Sequence, residues 1–178
     1  MYKWEDKMEL FRDSWSGVRR NYRDGFCVSE AGFQADLYER LRQRLQSCNV
    51  IAGPTWEGTV DGRRRPDLVI AQDGFITDIL ELKFVPHWYA IWRPDIQKLR
   101  GYLHPNSPRA YPVSLCPETG NWVEDTPLHE ECRLHFVVAS QHDAAALRRP
   151  IPEGEPPVNR WHGPVEDPLP EWHIQFNA

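Results

Sequence analysis

The alternation of apolar and polar positions along the chain predicts helices and short strands in mixed order. Residues 29–46 carry an apolar stripe at helical spacing, and Ser29 can cap the start of that helix. Apolar runs with a period of two, separated by Gly, Pro and Asp turns, predict strands. We expect helices at 29–46, 93–103 and 142–149, strands at 64–71, 75–84 and 132–140, a short helix and then a loop within 3–26, and an edge strand at 171–177. This order predicts a single α/β domain with a mixed central β-sheet flanked by helices.

The end of the chain differs in composition from the rest. Residues 150–170 are rich in proline and acidic residues, which argues against a central strand or a long helix there. We therefore expect an α/β domain at residues 1–149, with its core at about 29–140, and a Pro-rich acidic arm at 150–178 that ends in the edge strand.

A β-hairpin is predicted in the segment "RRRPDLVIAQDGFITDILELKF", residues 63–84. A two-residue turn would place Asp67 opposite Leu80, with Glu81 on the other face of the sheet. A three-residue loop at 72–74 would pair position 67 with 79 and position 65 with 81. We expect this second register, because it places Asp67, Glu81 and Lys83 on one face. The alternative interpretation is a solvated strand face with an ordinary salt bridge.

The first predicted helix carries one acid, Glu30, within its apolar stripe and beside Gln34. A carboxylate that faces the protein body needs a charged partner or a bound cation. Alternatively, Glu30 lies in the first turn, stays solvated and favours the helix dipole. The sequence leaves both interpretations open.

Charge is unevenly distributed along the 178 residues, whose net charge is −5. Residues 1–110 carry 17 Lys and Arg against 15 Asp and Glu, whereas residues 111–178 carry 4 against 11. A polyanion would therefore have to bind the first part. The four cysteines form no CxxC pair, no apolar run has the length of a membrane span, and "MYKWEDKMELF" is unlike a signal peptide. We expect a soluble, cytoplasmic protein.

A helix with an inward glutamate, then Pro66-Asp67, then Glu81-Leu82-Lys83 on the next strand and a helix with a glutamine resembles the PD-(D/E)XK nuclease superfamily. The resemblance covers roughly residues 29–103 and implies the restriction-endonuclease-like fold. It also implies an endonuclease that uses Mg²⁺ or Mn²⁺, with DNA preferred over RNA as substrate. Some relatives carry Gln and Tyr four residues apart on the second helix, whereas Gln97 and Tyr102 are five apart.

The resemblance assigns roles to particular residues of this chain. Asp67, Glu81 and the backbone carbonyl of Leu82 would bind the metal, and Glu30 would be an additional or water-mediated ligand. Lys83 would lie near the attacking water, and Gln97 would complete the catalytic set. Without a metal, the same acids and lysine would form a salt bridge.

Two further groups could bind the nucleic acid. Arg63, Arg64 and Arg65 enter the hairpin and could contact phosphates, or they could form a solvated loop. Trp88 follows Lys83 and could stack on an unpaired base, or it could cover the core.

The second function that the sequence allows is a catalytically silent nucleic-acid-binding or protein-interaction module with the same fold. In either case the small size suggests that a homodimer or a protein partner supplies specificity.

Overall fold

The computed structural model describes residues 3–59, 62–85, 93–113, 125–140, 158–163 and 173–175. These residues form three helices and nine strands. The helices are α1 (Trp4–Arg23), α2 (Glu30–Arg44) and α3 (Arg93–Tyr102). The strands are β1 (Asn49–Ala52), β2 (Trp56–Thr59), β3 (Gly62–Arg64), β4 (Leu68–Gln72), β5 (Phe75–Val85), β6 (Ala110–Pro112), β7 (Asp125–Ser140), β8 (Val158–Gly163) and β9 (His173–Gln175).

The main sheet is mixed, in the order β1-β4-β5-β7-β8-β9. β4 is antiparallel to β1 and β5, while β5, β7 and β8 run parallel and β9 returns antiparallel to β8. β6 pairs with the first residues of β7, and β2 and β3 form a separate hairpin. The prediction of a mixed α/β fold with helices against the sheet is therefore confirmed for the described residues.

The sheet has a hydrophobic core on each face. On one face, α1 and α2 pack against alternate residues of β4, β5 and β7, among them Leu68, Leu80 and Val137. On the other face, α3 packs with Trp56 and Tyr111 against the intervening strand residues, such as Phe136. Because both faces are covered, β5 is a central strand whose polar residues must find partners within the protein.

The first helix is longer than predicted. α1 runs over 20 residues, whereas the sequence predicted a short helix and then a loop. Phe11, Trp15 and Val18 form its buried stripe, at the spacing of a helix face. Charged and polar residues between them obscure this pattern in the sequence. The predicted start of α2 is confirmed, since the Ser29 hydroxyl accepts a hydrogen bond of 3.1 Å from the backbone N–H of Gly32.

The predicted hairpin register is wrong. Gln72 pairs with Phe75, so the turn contains two residues, Asp73 and Gly74, with φ of 52° and 83°. These left-handed conformations match the tight turn that suits the strand twist. An irregularity then shifts the register between Ile70 and Ala71, which leaves Thr77 as an extra residue in β5.

The shift restores the side-chain arrangement that the three-residue loop predicted, in which Asp67 and Glu81 share a face. Beyond it, Leu68 pairs with Leu80, so the next position along, Asp67, lies opposite Glu81. Because of the same shift, Ile76 packs in the α3 core, whereas Leu68 and Leu80 pack on the opposite face. A two-residue turn and a β-bulge thus place Asp67 and Glu81 on one face.

The C-terminal segment contains a strand that the composition did not predict. Val158–Gly163 lies between β7 and β9 in the sheet, within the stretch expected to lack a central strand. The prolines that motivated that expectation stand outside these six residues. The final strand, β9, is confirmed within the predicted range 171–177. The predicted helix at 142–149 lies outside the described residues.

Candidate active site

Glu81 is the most buried acid of the candidate site, with 4% of its surface exposed. Its Oε2 atom lies 2.7 Å from Nζ of Lys98, and its Oε1 atom accepts a hydrogen bond of 3.2 Å from the Tyr102 hydroxyl. Burial and the nearby negative charge of Asp67 raise the pKa of Glu81 to about 7, although Lys98 and Tyr102 act in the opposite direction.

Asp67 immediately precedes β4 and is held by the neighbouring strand. Its Oδ2 atom accepts a hydrogen bond of 2.7 Å from the backbone N–H of Leu82, while Gln34 of α2 donates to its backbone carbonyl at 2.8 Å. Burial raises the pKa of the Asp67 carboxyl group. The hydrogen bond from Leu82 and the charge of Lys98 counteract that rise, and the charge of Glu30 adds to it.

Glu30 is exposed at the start of α2 and reaches β5. Its Oε2 atom accepts a hydrogen bond of 3.3 Å from the backbone N–H of Phe84. Of the two positions that the sequence left open for Glu30, the structure has the solvated one in the first turn of α2. Its negative charge nonetheless raises the pKa values of Asp67 and Asp95, which places it beside the same cluster.

Two lysines accompany these acids. Lys83 is half-buried and its charge lowers the pKa of Asp95, whose net rise comes from burial. Lys98 contacts Glu81 and also donates a hydrogen bond of 3.0 Å to the backbone carbonyl of Arg65. The ammonium group of Lys98 therefore lies against Glu81, and that of Lys83 interacts with Asp95.

The Gln97 side chain is exposed on α3, and the adjacent residue Lys98 contacts Glu81. The catalytic role that the resemblance gives Gln97 stays a prediction. Lys98 and Tyr102 are four residues apart and therefore lie on the same side of α3. The sequence interpretation omitted Lys98, and Tyr102 is both buried in the core and bonded to Glu81. The spacing of four from Tyr102 was the signal that could have identified Lys98.

The three arginines at the start of the predicted hairpin, Arg63 to Arg65, take different positions. The guanidinium carbon of Arg64 lies 5.8 Å from the centre of the Tyr102 ring, so Arg64 approaches the site from β3. Arg65 is exposed, and its Nε atom donates to the backbone carbonyl of Gly53 at 3.0 Å. The side chain of Arg63 and the whole of Trp88 lie outside the described residues, so their predicted roles in binding nucleic acid stay predictions.

A second buried charge cluster lies on the opposite face of β5. Asp78 is fully buried and pairs with Nζ of Lys7 at 2.7 Å and with Nε2 of His135 at 3.0 Å. Burial opposes its charge, but Lys7 and His135 together hold its pKa well below the usual range. Asp78 therefore joins α1 to β5 and β7, and it serves the packing of the α1 face.

Comparisons of the chain with family models, curated proteins and solved structures give no match. Across the described residues, no helix is both long and apolar enough to cross a membrane. In that part of the chain, no three His, Cys, Asp or Glu side chains are grouped as a metal site. The arguments for function therefore rest on the geometry of Asp67, Glu81 and their neighbours.

Proposed function

We propose that the chain is a metal-dependent endonuclease of the PD-(D/E)XK superfamily, with a restriction-endonuclease-like fold and a preference for DNA over RNA. One observation carries the proposal. Asp67 and Glu81 lie on the same face of the sheet, burial raises the pKa of both carboxyl groups, and the charge of Asp67 adds to the rise at Glu81. Buried carboxylates whose pKa values are shifted by burial and by specific charged neighbours are candidates for functional sites.

The residues present fit a magnesium ion. Mg²⁺ is usually held by one or two carboxylates, several waters and the phosphates of the substrate, so a preformed cage of three acids is not required. Asp67, Glu81 and the carbonyl of Leu82 would hold the ion, and Glu30 would contact it through water. A cation would also offset the repulsion from Asp67, which together with burial raises the pKa of Glu81. When bound, the ion would neutralise phosphate charge and lower the pKa of a bound water.

The other residues of the cluster support this chemistry through position and charge. Lys83, on the strand that carries Glu81, would orient the attacking water and stabilise the negative charge that develops on the phosphate. Tyr102 orients Glu81 through its hydroxyl group. Leu82 fixes Asp67 through its backbone N–H, so the geometry of the acid depends on the strand itself rather than on a loop.

A catalytically silent binding module is the second candidate function. The observation in its favour is the ion pair between Lys98 and Glu81, which already supplies Glu81 with a cation. In that case Lys98 would replace the metal permanently, and the basic residues near the hairpin would bind nucleic acid without cleavage.

The test is cleavage of supercoiled plasmid, linear duplex, single-stranded DNA and RNA by the purified protein with Mg²⁺, Mn²⁺ or EDTA. We expect cleavage of DNA with either metal, none with EDTA, and a loss of at least about a hundredfold in Asp67→Asn, Glu81→Gln and Lys83→Met. Glu39→Gln is the matched control, because Glu39 is an acid on the outer side of α2 that bonds only with its helix neighbours Arg42 and Gln43.

Metal binding supplies a readout that is independent of turnover. The paramagnetic signal of free Mn²⁺ should fall when wild-type protein or Glu39→Gln is added, and Glu81→Gln should remove this effect. Cleavage that survives EDTA, or that persists in both Glu81→Gln and Lys83→Met, would rule out the proposed site. Binding of DNA with no cleavage under any of these conditions would favour the silent module.

A further inference from the structure

The ion pair between Glu81 and Lys98 joins a buried carboxylate to a lysine that reaches the surface. The Glu81 side chain is 5% exposed, whereas the Lys98 side chain is 31% exposed. The other carboxylate oxygen of Glu81 accepts a hydrogen bond of 3.2 Å from the Tyr102 hydroxyl. If the pair opens, the carboxylate therefore stays in place, and the long, flexible side chain of Lys98 is the partner that moves.

The ammonium group of Lys98 lies where its charge acts on both acids of the candidate site. It is 2.7 Å from Oε2 of Glu81 and 3.0 Å from the backbone carbonyl of Arg65, two residues before Asp67. The charge of Lys98 lowers the pKa values of both Glu81 and Asp67. A positive charge shared by carboxylates is also what a bound magnesium ion supplies. Lys98 therefore provides part of the charge compensation that the proposed ion would provide.

Lys98 and a divalent cation compete for Glu81. An ion bound to the oxygen that accepts from Lys98 would lie within about 5 Å of the ammonium nitrogen. Two positive charges at that distance repel each other, and the repulsion is stronger beside a buried carboxylate than in water. The pair with Lys98 and a bound ion therefore exclude each other, and Lys98 is the partner free to leave.

A phosphate is the group that suits the released ammonium. In the proposed function, the phosphate of the substrate binds beside Asp67 and Glu81, next to the ion that they hold. Lysine binds phosphate as a compact positive charge. Because α3 fixes the backbone of Lys98 beside the site, its ammonium group stays within reach of the phosphate oxygens after it leaves Glu81.

We propose that Lys98 is a tethered cation that pairs with Glu81 in the absence of a divalent cation, leaves it when that cation binds, and then contacts a phosphate of the substrate strand. This inference rests on the proposed function and adds a second lysine, with a role distinct from that of Lys83. It also differs from the silent module, in which Lys98 never leaves Glu81.

Acetylation of lysines in the wild-type protein, without nucleic acid, measures the release of Lys98. N-hydroxysuccinimidyl acetate modifies free amines, and mass spectrometry of the peptides gives the rate at each lysine. We expect Mg²⁺ to raise the rate at Lys98 severalfold over the rate in EDTA, and to leave the rate at Lys3, an exposed lysine before α1, unchanged. In Glu81→Gln, the rate at Lys98 should be the same with Mg²⁺ and with EDTA.

Binding of a phosphorothioate oligodeoxynucleotide, which resists hydrolysis, measures the contact with phosphate. Lys98→Met and the control Lys3→Met each remove one positive charge. We expect Lys98→Met to bind about tenfold more weakly than wild type in Mg²⁺ and equally in EDTA, because Glu81 holds the ammonium group when the metal is absent. Lys3→Met should bind like wild type in both conditions. No loss in Lys98→Met, or the same loss in Mg²⁺ and in EDTA, would overturn the inference.

Mn²⁺ binding, read from the paramagnetic signal, separates failure of this inference from failure of the proposed function. If Mn²⁺ binds wild type but Lys98 is acetylated as slowly as in EDTA, the metal site stands and the inference is wrong. If Mn²⁺ binds Lys98→Met but not wild type, Lys98 keeps Glu81 permanently, which overturns the inference and favours the silent module. If Mn²⁺ binds neither protein, the metal site of the proposed function falls, and the inference falls with it.

Discussion

Nζ of Lys98 lies 2.7 Å from Oε2 of Glu81, yet the pKa of Glu81 is raised to about 7 rather than lowered. Burial and the charge of Asp67 outweigh the attraction of the lysine and the hydrogen bond from Tyr102. The charged form of Glu81 is therefore less stable in the folded protein than in the unfolded chain. The proposed function would explain why a carboxylate is kept here at a cost in stability.

We expect Glu81→Gln to stabilise the metal-free protein at pH 8 by about 1–3 kcal/mol, because glutamine removes an unfavourable buried charge. The folded pKa of about 7 exceeds the ordinary value of 4.5, so Glu81 binds a proton on folding between these values. Its contribution to stability is therefore largest below about pH 4.5 and is lost as the pH rises through 7. The difference between wild type and Glu81→Gln should then shrink at pH 5.

Urea unfolding in EDTA at pH 5 and pH 8 measures this effect. Glu39→Gln serves as the comparison, since its carboxylate is on the solvent side of α2. If Glu81→Gln destabilises the protein at pH 8, the ion pair between Glu81 and Lys98 stabilises the fold, contrary to this prediction. The expected combination, a gain in stability with a loss of cleavage, fits a residue retained for function.

Lys7→Met should destabilise the protein by about 3–5 kcal/mol, because it leaves the carboxylate of Asp78 buried without its nearest cation. Lys7 is 5% exposed and Asp78 is fully buried. Arg42→Met removes the exposed pair with Glu39 and should leave the urea midpoint unchanged. Equal midpoints for wild type and Lys7→Met would show that Asp78 does not need Lys7.

His135 should make the folded protein sensitive to mild acid. Burial lowers its pKa below the ordinary 6.5, although Asp78 acts in the opposite direction. The unfolded chain therefore takes up the proton first, and the stability that neutral His135 contributes is lost as the pH falls below about 6.5. The depressed pKa of Asp78 adds a second loss below about 3.8.

The measurement for His135 is the difference in unfolding free energy between wild type and His135→Gln from pH 7.5 to 4.5. Other titrating groups, including Glu81, cancel in this difference. We expect the advantage of wild type to decline steadily below pH 6.5. A difference that does not vary with pH would show that the pKa of His135 is the same in the folded and unfolded states.

Gly74→Ala should destabilise the hairpin by about 1–2 kcal/mol, since the φ of 83° is unfavourable for a residue with a side chain. Steric clash is not the cause, because a Cβ atom at Gly74 would meet nothing within 4 Å. Gly74→Asn should cost less, because asparagine tolerates the left-handed region better. Thermal unfolding of both variants tests this. Equal losses in alanine and asparagine would point to another cause.

The sequence predicted α2, β5 and α3 to within two residues of their bounds, because their apolar spacing is regular, whereas β4 begins at Leu68 and not at the predicted residue 64. It was not sufficient for the hairpin register, since a bulge at Thr77 depends on what surrounds β5. The Thr77 hydroxyl accepts a hydrogen bond of 2.9 Å from Lys7, which belongs to a helix 70 residues earlier. No local pattern contains that information.

The candidate site was predicted in part for the same reason. Asp67, Glu81 and Lys83 were selected from the resemblance and from a hairpin register that is wrong in detail, and the contact of Lys98 with Glu81 depends on how α3 packs on the sheet. The position of Glu30 was left open between the protein body and solvent, because a helical wheel gives a direction without giving the depth of burial. Glu30 is exposed in the first turn of α2.

The position of β5 has a consequence for how motion is distributed in the molecule. It lies between β4 and β7 and both of its faces are packed, so its amide hydrogens exchange with solvent only when most of the sheet opens. Glu81 and Leu82 therefore belong to the slowest-exchanging strand. Asp67 hydrogen-bonds to the backbone of Leu82 in this strand, so the carboxylates of the candidate site keep their geometry unless the sheet itself opens.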